Sequence, residues 1–292
     1  VDNTVQTYHK IIEAFKYAYA KRTQLGDTSV VNITNYAAGI RSEIEENLTS
    51  NDPRDYGAKF YNKDDHGTAH ISVLAENGDA VSVISSINLF YSFGAGLTSQ
   101  QMGIILNSVM DDFSFPYFRH YFDLPGSPNN ELKPGKRPLS SMSPSILVDE
   151  NGDVKLVIGA SGGTKITTSI ALVLFRNISV WDFVAKIKTA GRCGSDKISK
   201  RRLIPHQLFP MEIHYEYGTS QQMIDGLKAL GHKTNRYGDA GSIICALLKE
   251  AEKIYGNADY RKDAAEQEPQ AIDAPSDFHR KLDTSLQKIR HA

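Results

Sequence analysis

The chain is poor in cysteine, in net charge and in long apolar runs. It has 292 residues and two cysteines, Cys193 and Cys245, so at most one disulfide can form, and the sequence leaves open whether it does. A formal net charge of -1 argues against nucleic acid as a partner. It has no run of about 18 apolar residues, the length that spans a membrane. With 40% hydrophobic and 23% charged residues, the composition is that of a globular protein with one large core or two modest ones.

The first residues, Val1 to Thr4, carry no signal-peptide pattern. We therefore expect that the sequence starts within a longer protein or has been processed. Three triplets match the N-glycosylation acceptor pattern and favour secretion weakly: Asn32-Ile33-Thr34, Asn47-Leu48-Thr49 and Asn177-Ile178-Ser179.

The stretch from Thr68 to Leu89 predicts a β-hairpin. A three-residue turn with Gly78 in the left-handed conformation pairs Ala75 with Asp79 and puts Thr68 opposite Ser86. A two-residue Asn77-Gly78 loop would break the sorting of side chains between the two faces. One face is apolar and is expected to face the core: Ala69, Ile71, Val73, Val81 and Val83. The other is mostly hydroxylic: Thr68, His70, Ser72, Ser82 and Ser86.

A threonine that follows glycine at the start of a strand suggests a latent N-terminal nucleophile. Cleavage of the Gly67-Thr68 bond would free the α-amine of Thr68, which titrates at about 7.7–8.0 and can serve as the base for its own hydroxyl. Gly67 has no side chain to block attack on its carbonyl. The alternative is a threonine that is there only because strands favour it.

Periodicity predicts the other elements. Residues 4–25 fit an amphipathic helix with Gly26 as its terminator and apolar residues at helical spacing: Ile11, Ile12, Phe15, Ala18 and Tyr19. An exposed loop is expected over residues 51–65. Further helices are expected over 28–48, 166–175, 221–230 and 242–254, and strands over 102–107 (buried), 145–148 and 154–158.

Three polar patterns have both a chemical and a plain interpretation. Asp111 and Asp112 could be an acid–base pair, but neighbours in an extended segment point to opposite faces, and a solvated or capping pair is the alternative. The run from Gly159 to Lys165 fails the phosphate-loop pattern, because Thr164 replaces the second glycine. A glycine turn remains, whose N–H groups could bind negative charge or which could serve packing alone. No His-Glu-x-x-His pattern occurs, and His206 and His214 lack metal-ligand spacing.

Five motifs occur in a fixed order along the chain: Gly67-Thr68-Ala69-His70, Ser86-Ile87-Asn88-Leu89, Met110-Asp111-Asp112-Phe113, Pro138-Leu139-Ser140-Ser141-Met142 and Gly159-Ala160-Ser161-Gly162-Gly163-Thr164. At these spacings they resemble the γ-glutamyltranspeptidase (glutathione hydrolase) family. Upstream, the run from Tyr8 to Phe15 and the run Ala18-Tyr19-Ala20-Lys21-Arg22 resemble the end of that family's large subunit. The resemblance covers nearly the whole chain up to about residue 262.

The resemblance implies an α+β fold, the four-layer αββα sandwich of N-terminal-nucleophile hydrolases. Residues 1–67 would end the large (heavy) subunit, 68–265 would form the small catalytic subunit, and 266–292 would be a polar tail. The implied activity is cleavage of the γ-glutamyl amide of glutathione and related compounds through a Thr68 ester, after self-cleavage at Gly67-Thr68. The implied partners are these compounds, amino-acid or peptide acceptors and the heavy chain of the same precursor. No metal or organic cofactor is expected, and the protein is expected to be extracellular.

The resemblance also assigns site residues. Ser86 would hold the Thr68 hydroxyl, and Gly162 and Gly163 would form the oxyanion hole. Asp112 would bind the ammonium group of the glutamyl head, with Asp111 supporting the loop, and Asn88 would also hold the head. Ser140 and Ser141 would bind the α-carboxylate, and the family's arginine for that carboxylate lies in the large subunit, outside this sequence.

Several positions depart from the family pattern. Val109 stands where many members carry an acidic or amide residue, Ser86 replaces a threonine, Asp263-Ala264 replace a Gly-Gly pair, and residues 188–202 look like an insertion. Val109, the insertion and the altered tail motivate the alternative function, a catalytically inactive paralogue that binds γ-glutamyl compounds. The hydroxyl retained at Ser86 argues against it, as do Thr68, Asp112 and the Gly162–Gly163 pair.

Overall fold

The computed structural model describes residues 4–27, 33–61, 68–89, 95–99, 102–115, 124–176, 204–236, 242–250 and 253–258. The helices are α1 (Thr4–Arg22), α2 (Ile33–Glu43), α3 (Lys165–Arg176) and α4 (Gln221–Ala229). The strands are β1 (Thr68–Leu74), β2 (Ala80–Ser86), β3 (Ser145–Val148), β4 (Val154–Ser161), β5 (Ile213–Tyr215), β6 (Thr234–Arg236), β7 (Ile243–Glu250) and β8 (Lys253–Ala258). Within these ranges every helix is too short or too polar to cross a membrane. Some predictions fall outside the described residues: those for Gly67, Cys193, the segment 188–202 and the tail 266–292.

The predicted hairpin and its register are confirmed. β1 and β2 pair antiparallel, with Thr68 opposite Ser86. The Ala75 N–H donates to the Asp79 carbonyl at 2.8 Å, and Gly78 has φ 92°. Glycine adopts this left-handed conformation without the steric penalty that a Cβ would bring, which is why the three-residue turn closes here.

A four-stranded antiparallel sheet in the order β3-β4-β7-β8 forms the centre of the fold. α3 covers one face of this sheet. Leu156, Ile158 and Ala160 of β4 point to that face, and every second residue of β7 joins them: Ile244, Ala246 and Leu248. Together with Ile166, Ile170 and Val173 of α3 and Phe15 of α1, they make the main hydrophobic core. Burial of this apolar surface is the main term that stabilises the fold.

The β1–β2 hairpin stacks on the opposite face of the four-stranded sheet. The Ser72 hydroxyl donates to the Val157 carbonyl at 3.5 Å, and the Ser82 hydroxyl donates to the Ile158 carbonyl at 3.3 Å. The order of layers is therefore helix, sheet, sheet, which confirms the predicted α+β class. The described residues supply three of the four layers that the resemblance implies.

The prediction that Ala69, Ile71, Val73, Val81 and Val83 face the core is wrong. Ile71 is 63% exposed, and the three valines are 46–50% exposed. The hydroxylic face is the one that packs inward. It can do so because the Ser72 and Ser82 hydroxyls donate hydrogen bonds to carbonyls of β4. These bonds offset the cost of burying polar groups.

Two further element predictions are also wrong. Residues 102–107 form an exposed loop rather than a buried strand, with a single bridge between Thr98 and Ile105 and with Met102 72% exposed. The predicted helix over 242–254 is instead β7 and the start of β8. Short apolar runs fit a strand and a buried helix equally well by periodicity, and in β7 pairing with both neighbours decides for the strand.

α1 packs as predicted, with one exception. Ile12, Phe15 and Tyr19 are buried, whereas Ala18 is exposed. The helix ends at Arg22, four residues before the predicted terminator Gly26. The predicted helices over 166–175 and 221–230 are confirmed as α3 and α4.

Candidate active site

Thr68 is the first residue of β1 and lies, half-buried, on the face that packs against β4. Ser72 contacts the backbone at Val157, and the ring of His70 lies against Gly159. A step of two residues toward the start of β1, from Ser72 to His70, thus matches a step of two residues toward the end of β4, from Val157 to Gly159. Continued by one step, this relation predicts that Thr68 lies at the level of Ser161, next to Gly162.

A chain of hydrogen bonds connects three of the predicted site residues. The Asn88 N–H donates to Ser86 Oγ at 2.8 Å, and Asn88 Nδ2 donates to Asp112 Oδ1 at 2.8 Å. Asn88 Nδ2 also donates to the Ser108 carbonyl at 3.1 Å. Asn88 is buried and has φ 68°, a left-handed conformation that asparagine tolerates better than most residues. Ser86, which faces Thr68 across the hairpin, is thereby joined to the carboxylate of Asp112.

Asn130 connects the Asp112 segment to the loop of the paired serines, and no sequence motif points to it. This buried side chain donates through Nδ2 to the Asp112 carbonyl at 2.8 Å. Its Oδ1 accepts from the Leu139 N–H, also at 2.8 Å. An asparagine in a long loop rich in proline, glycine and asparagine does not stand out, so only the fold identifies it.

The two predicted carboxylate-binding serines differ in exposure. Ser140 is exposed, and its hydroxyl oxygen accepts from the Met142 N–H at 3.1 Å. Ser141 is buried, and its hydroxyl oxygen accepts from Arg22 Nη2 at 2.8 Å. The sequence placed Arg22 in a family-like motif but assigned it no role.

Gly162 and Gly163 form the turn between β4 and α3, with φ 124° and 61°. Their carbonyls accept from Lys165 N and Ile166 N at 3.3 and 3.0 Å, and these turn bonds lead into α3. Backbone N–H groups at such a helix start have no intrahelical acceptor, and the helix dipole favours negative charge there. The turn can therefore stabilise a developing oxyanion.

One buried cluster has ligand types that could suit a metal ion, but its hydrogen bonds do not fit one. Ligand atoms of His9, Glu13 and His232 lie within 4.8 Å of one another. His9 Nδ1 and His232 Nε2 are already hydrogen-bonded to each other at 2.8 Å. His9 Nε2 is hydrogen-bonded to the Glu45 carbonyl, also at 2.8 Å. The Glu13 carboxylate accepts from three donors, at 2.9, 2.6 and 2.8 Å respectively: Lys16 Nζ, Thr49 Oγ1 and Tyr56 OH.

The charges of this cluster also oppose a metal. The buried Lys16 ammonium already neutralises Glu13, so a second cation would meet repulsion in a medium of low dielectric constant. Burial, together with the positive charge of Lys16 nearby, lowers the pKa of His232 to about 3, so this ring is neutral. The cluster is a closed hydrogen-bonded network beneath α1.

Comparison with known proteins gives consistent matches. The sequence model described as gamma-glutamyltranspeptidase matches residues 1–268. Scoloptoxin SSD14 from Scolopendra dehaani is 42% identical over 90% of this chain and 44% of its own length. Glutathione hydrolase proenzyme 1 from Schizosaccharomyces pombe is 34% identical over 88% of this chain and 40% of its own length. The chain thus spans less than half the length of these two relatives.

A solved structure shares the fold. The γ-glutamyltranspeptidase from Pseudomonas nitroreducens, solved in complex with L-DON, superposes with a TM-score of 0.54 at 34% identity. The match covers 66% of this chain and 94% of that chain.

Proposed function

This chain belongs to the γ-glutamyltranspeptidase family, and on that basis we propose that the protein containing it cleaves and transfers γ-glutamyl groups through Thr68. One observation carries the proposal: the hydrogen-bond chain from Ser86 through Asn88 to Asp112 starts opposite Thr68. It joins a hydroxyl that faces the nucleophile to a carboxylate that suits a substrate ammonium group. Such charge-assisted contacts are among the stronger hydrogen bonds in proteins.

Maturation comes first in the proposed mechanism. The Thr68 hydroxyl oxygen attacks the Gly67 carbonyl carbon, and the C–N bond between the two residues breaks as the acyl group moves to oxygen. Water then hydrolyses this ester, leaving a carboxylate on Gly67 and a free amine on Thr68. Each new chain end needs room to move apart. The sequence before the junction is polar over residues 51–65, but the prediction of an exposed loop is wrong for its described part, where Pro53–Tyr56 form a short helix with Tyr56 buried.

Turnover uses the new amine as a base. It takes the proton of the Thr68 hydroxyl while the oxygen attacks the γ-carbonyl carbon of the substrate. N–H groups of the Gly162–Gly163 turn stabilise the oxyanion, a contribution of roughly 2.7–4 kcal/mol per donor in other hydrolases. The leaving amine takes the proton, and water or an amino-acid or peptide amine then cleaves the γ-glutamyl ester. No residue in this scheme needs a metal or an organic cofactor.

Recognition of the glutamyl head uses both ends of the site. Asn88 Oδ1 and Asp112 accept from the ammonium group, and Ser140 and Ser141 donate to the α-carboxylate. Asn130 holds these two subsites at a fixed separation, because its amide contacts both segments. Glutathione and other γ-glutamyl amides present the two charged groups on one carbon, which is the pattern that this pair of subsites selects.

A heavy chain from the same precursor is the proposed partner. The apolar face of the hairpin (Ile71, Val73, Val81 and Val83) is about half exposed or more among the described residues. A patch of this kind on a sheet marks an interaction surface. The mature protein would be a heterodimer in which upstream residues of the precursor cover this face.

We also propose an extracellular location. Asn47 is exposed on the surface, as a glycan acceptor must be, while Thr49 of the same triplet is buried. Treatment of the secreted protein with an N-glycosidase is expected to lower its mass, and an Asn47→Gln variant is expected to show a smaller shift. An unchanged mass in both would contradict glycosylation at this position.

The alternative is an inactive paralogue that binds γ-glutamyl compounds without turnover. The observation that favours it is Val109, an apolar side chain 38% exposed in the same helical turn as Asp112 (Val109–Asp112). An isopropyl group offers no acceptor to a substrate ammonium group, so head-group binding rests on fewer contacts.

The deciding experiment uses the full-length protein with its upstream part. Hydrolysis of L-γ-glutamyl-p-nitroanilide is expected for the wild type, with and without dialysis against a chelator. Thr68→Ala is expected to abolish it, Thr68→Ser to retain part of it, and Thr98→Ala, an exposed control, to leave it unchanged. A folded wild type that binds glutamate by calorimetry but never releases p-nitroaniline would establish the alternative.

A further inference from the structure

The C-terminal turn of α1 contacts two loops of the candidate active site. Arg22 Nη2 donates to Ser141 Oγ at 2.8 Å. One helical turn earlier, the Tyr19 hydroxyl donates to the Thr164 carbonyl and contacts Thr167 Oγ1 at 2.6 Å. Tyr19 and Arg22 are three residues apart on the helix, so they share one face.

The two side chains also support each other. The Arg22 guanidinium carbon lies 5.9 Å from the centre of the Tyr19 ring, within the range of a cation–π contact. Tyr19 is 6% exposed, so its ring is a fixed platform beneath the guanidinium. This platform limits the rotamers open to Arg22 and directs its planar donors toward Ser141.

The residues that follow α1 fasten the same loop at a second place. Asn129 Nδ2 donates to the Gln24 carbonyl at 2.7 Å. Gly26 approaches Asn129 so closely that a Cβ on it would lie 1.9 Å from the Asn129 carbonyl oxygen. Arg137 and Asp27 form an ion pair at 3.0 Å. The loop that ends at Ser141 is thus tied to the α1 segment along its length.

The Arg22 contact has a chemical consequence for Ser141. A serine hydroxyl has one hydrogen to donate and two lone pairs that accept. Within the described part of the chain, Arg22 is the hydrogen-bond partner of Ser141 Oγ, and it occupies an acceptor site. The hydroxyl hydrogen is then available for an anion, and a hydroxyl that accepts from a cation becomes a stronger donor.

We propose that Arg22 is a positioning residue that makes Ser141 a hydrogen-bond donor toward the α-carboxylate of the substrate. This inference rests on the proposed function, since it names how that same site selects a carboxylate. Arg22 acts through Ser141 and adds a positive charge behind it. A residue of α1, the helix that precedes Thr68, thus supports binding of the α-carboxylate, in addition to any arginine that upstream residues supply.

The test compares two substrates in the full-length mature enzyme, with rates normalised to the amount of cleaved chain determined by intact mass. One is L-γ-glutamyl-p-nitroanilide, and the other is the analogue whose α-carboxylate is replaced by a neutral carboxamide. Arg22→Gln is expected to raise KM for the carboxylate substrate about 10-fold or more with a smaller change in kcat. The same substitution is expected to change kcat/KM for the carboxamide substrate less than threefold.

Two more variants keep the test decisive. Arg22→Lys preserves the charge, so its KM for the carboxylate substrate is expected to lie between those of the wild type and Arg22→Gln. It replaces Arg22→Gln should that variant fail to mature. Lys21→Gln is the matched control, since Lys21 is in the same helical turn but contacts Gln24 and the Tyr36 ring. It is expected to behave as the wild type.

The outcomes separate this inference from the proposed function. A wild type without γ-glutamyl turnover would refute the proposed function itself. A wild type that turns over normally, with Arg22→Gln affecting both substrates equally or neither, would overturn the role of Arg22 and leave the function standing.

Discussion

The imidazole ring of His70 lies directly against the backbone of Gly159, and no Cβ could fit between them. A Cβ built on Gly159 would be 2.3 Å from the nearest ring atoms. His70 Nε2 is also hydrogen-bonded to Ser72 Oγ at 2.8 Å, so the ring is held in place. This contact limits how closely β1 can approach β4 near the start of β1, where Thr68 lies.

Replacing Gly159 by alanine is expected to separate the two strands. The added methyl group overlaps the ring, and overpacking of this kind costs about 1–3 kcal/mol of unfolding free energy. Urea unfolding of Gly159→Ala measures the loss. The double variant Gly159→Ala/His70→Ser is expected to recover most of it, because serine leaves room for the methyl group.

Gly39→Ala is the control for that substitution. Gly39 lies exposed in α2, and a Cβ there meets nothing within 4 Å. The change should be neutral or stabilising by about 0.5–1 kcal/mol, as alanine is in helices. Equal destabilisation by both substitutions would show that the His70 contact is not the cause.

Loss of the Asn88 side chain is expected to weaken substrate binding more than folding. Asn88→Gly keeps the left-handed backbone but removes both donor bonds, so Asp112 loses a fixed partner. Hydrogen bonds to charged groups contribute about 1.5–3 kcal/mol, which corresponds to a KM increase of about 10- to 100-fold for a γ-glutamyl substrate. Asn151→Gly, in an exposed turn, is the control and should leave KM unchanged.

The buried Glu13–Lys16 pair is expected to be sensitive to the loss of one partner. Burial lowers the pKa of Lys16, and the Glu13 carboxylate at 2.9 Å opposes that shift. Glu13→Gln leaves a buried ammonium without its counter-ion, at a cost of about 3–5 kcal/mol in unfolding free energy. Glu13→Gln/Lys16→Met should cost less than the single change. Glu46→Gln removes a surface pair with Lys10 and should alter stability little.

Acid is expected to destabilise the fold through two buried histidines. Burial and the charge on Lys16 lower the pKa of His232 to about 3, and burial lowers that of His206 well below its ordinary value. The unfolded chain binds these protons near pH 6.5. Stability from these groups is therefore complete above about pH 6.5 and is lost progressively as the pH falls toward 3.

Urea unfolding between pH 7.5 and 4 tests this dependence. For His232 the loss is on the order of 3 kcal/mol at pH 4, the lower end of this range. His232→Gln, which cannot take up a proton, should show a smaller decrease with falling pH than the wild type. Parallel pH profiles for the two proteins would contradict the assignment to His232.

The sequence predicted the hairpin well in one respect and badly in another. Its alternation and the Gly78 turn determine register, because a slip by one residue would exchange the two faces. Alternation does not tell which face is buried when a second sheet offers carbonyls to serine hydroxyls. Ser72 and Ser82 find such acceptors in β4, while Ile71 and Val83 are exposed.

The residues of the candidate active site also fall into two groups, those that sequence motifs predict and those that only the structure identifies. Thr68, Ser86, Asn88, Asp112 and the glycine turn lie in contiguous motifs that a resemblance can detect. Asn130 and Arg22 act across 9 to 119 positions of sequence, and their roles depend on tertiary contacts alone. β7 shows the same limit, since its apolar run became a strand only through pairing with β4 and β8.

The first measurement to make is the intact mass and N-terminal sequence of the full-length protein, beside its Thr68→Ala variant. The claim that Thr68 is the nucleophile for self-cleavage predicts two chains in the wild type, of which the smaller begins with Thr68-Ala69-His70. It predicts one uncut chain in the variant. A single uncut chain in both proteins, or a cut at another position, would contradict the central role of Thr68.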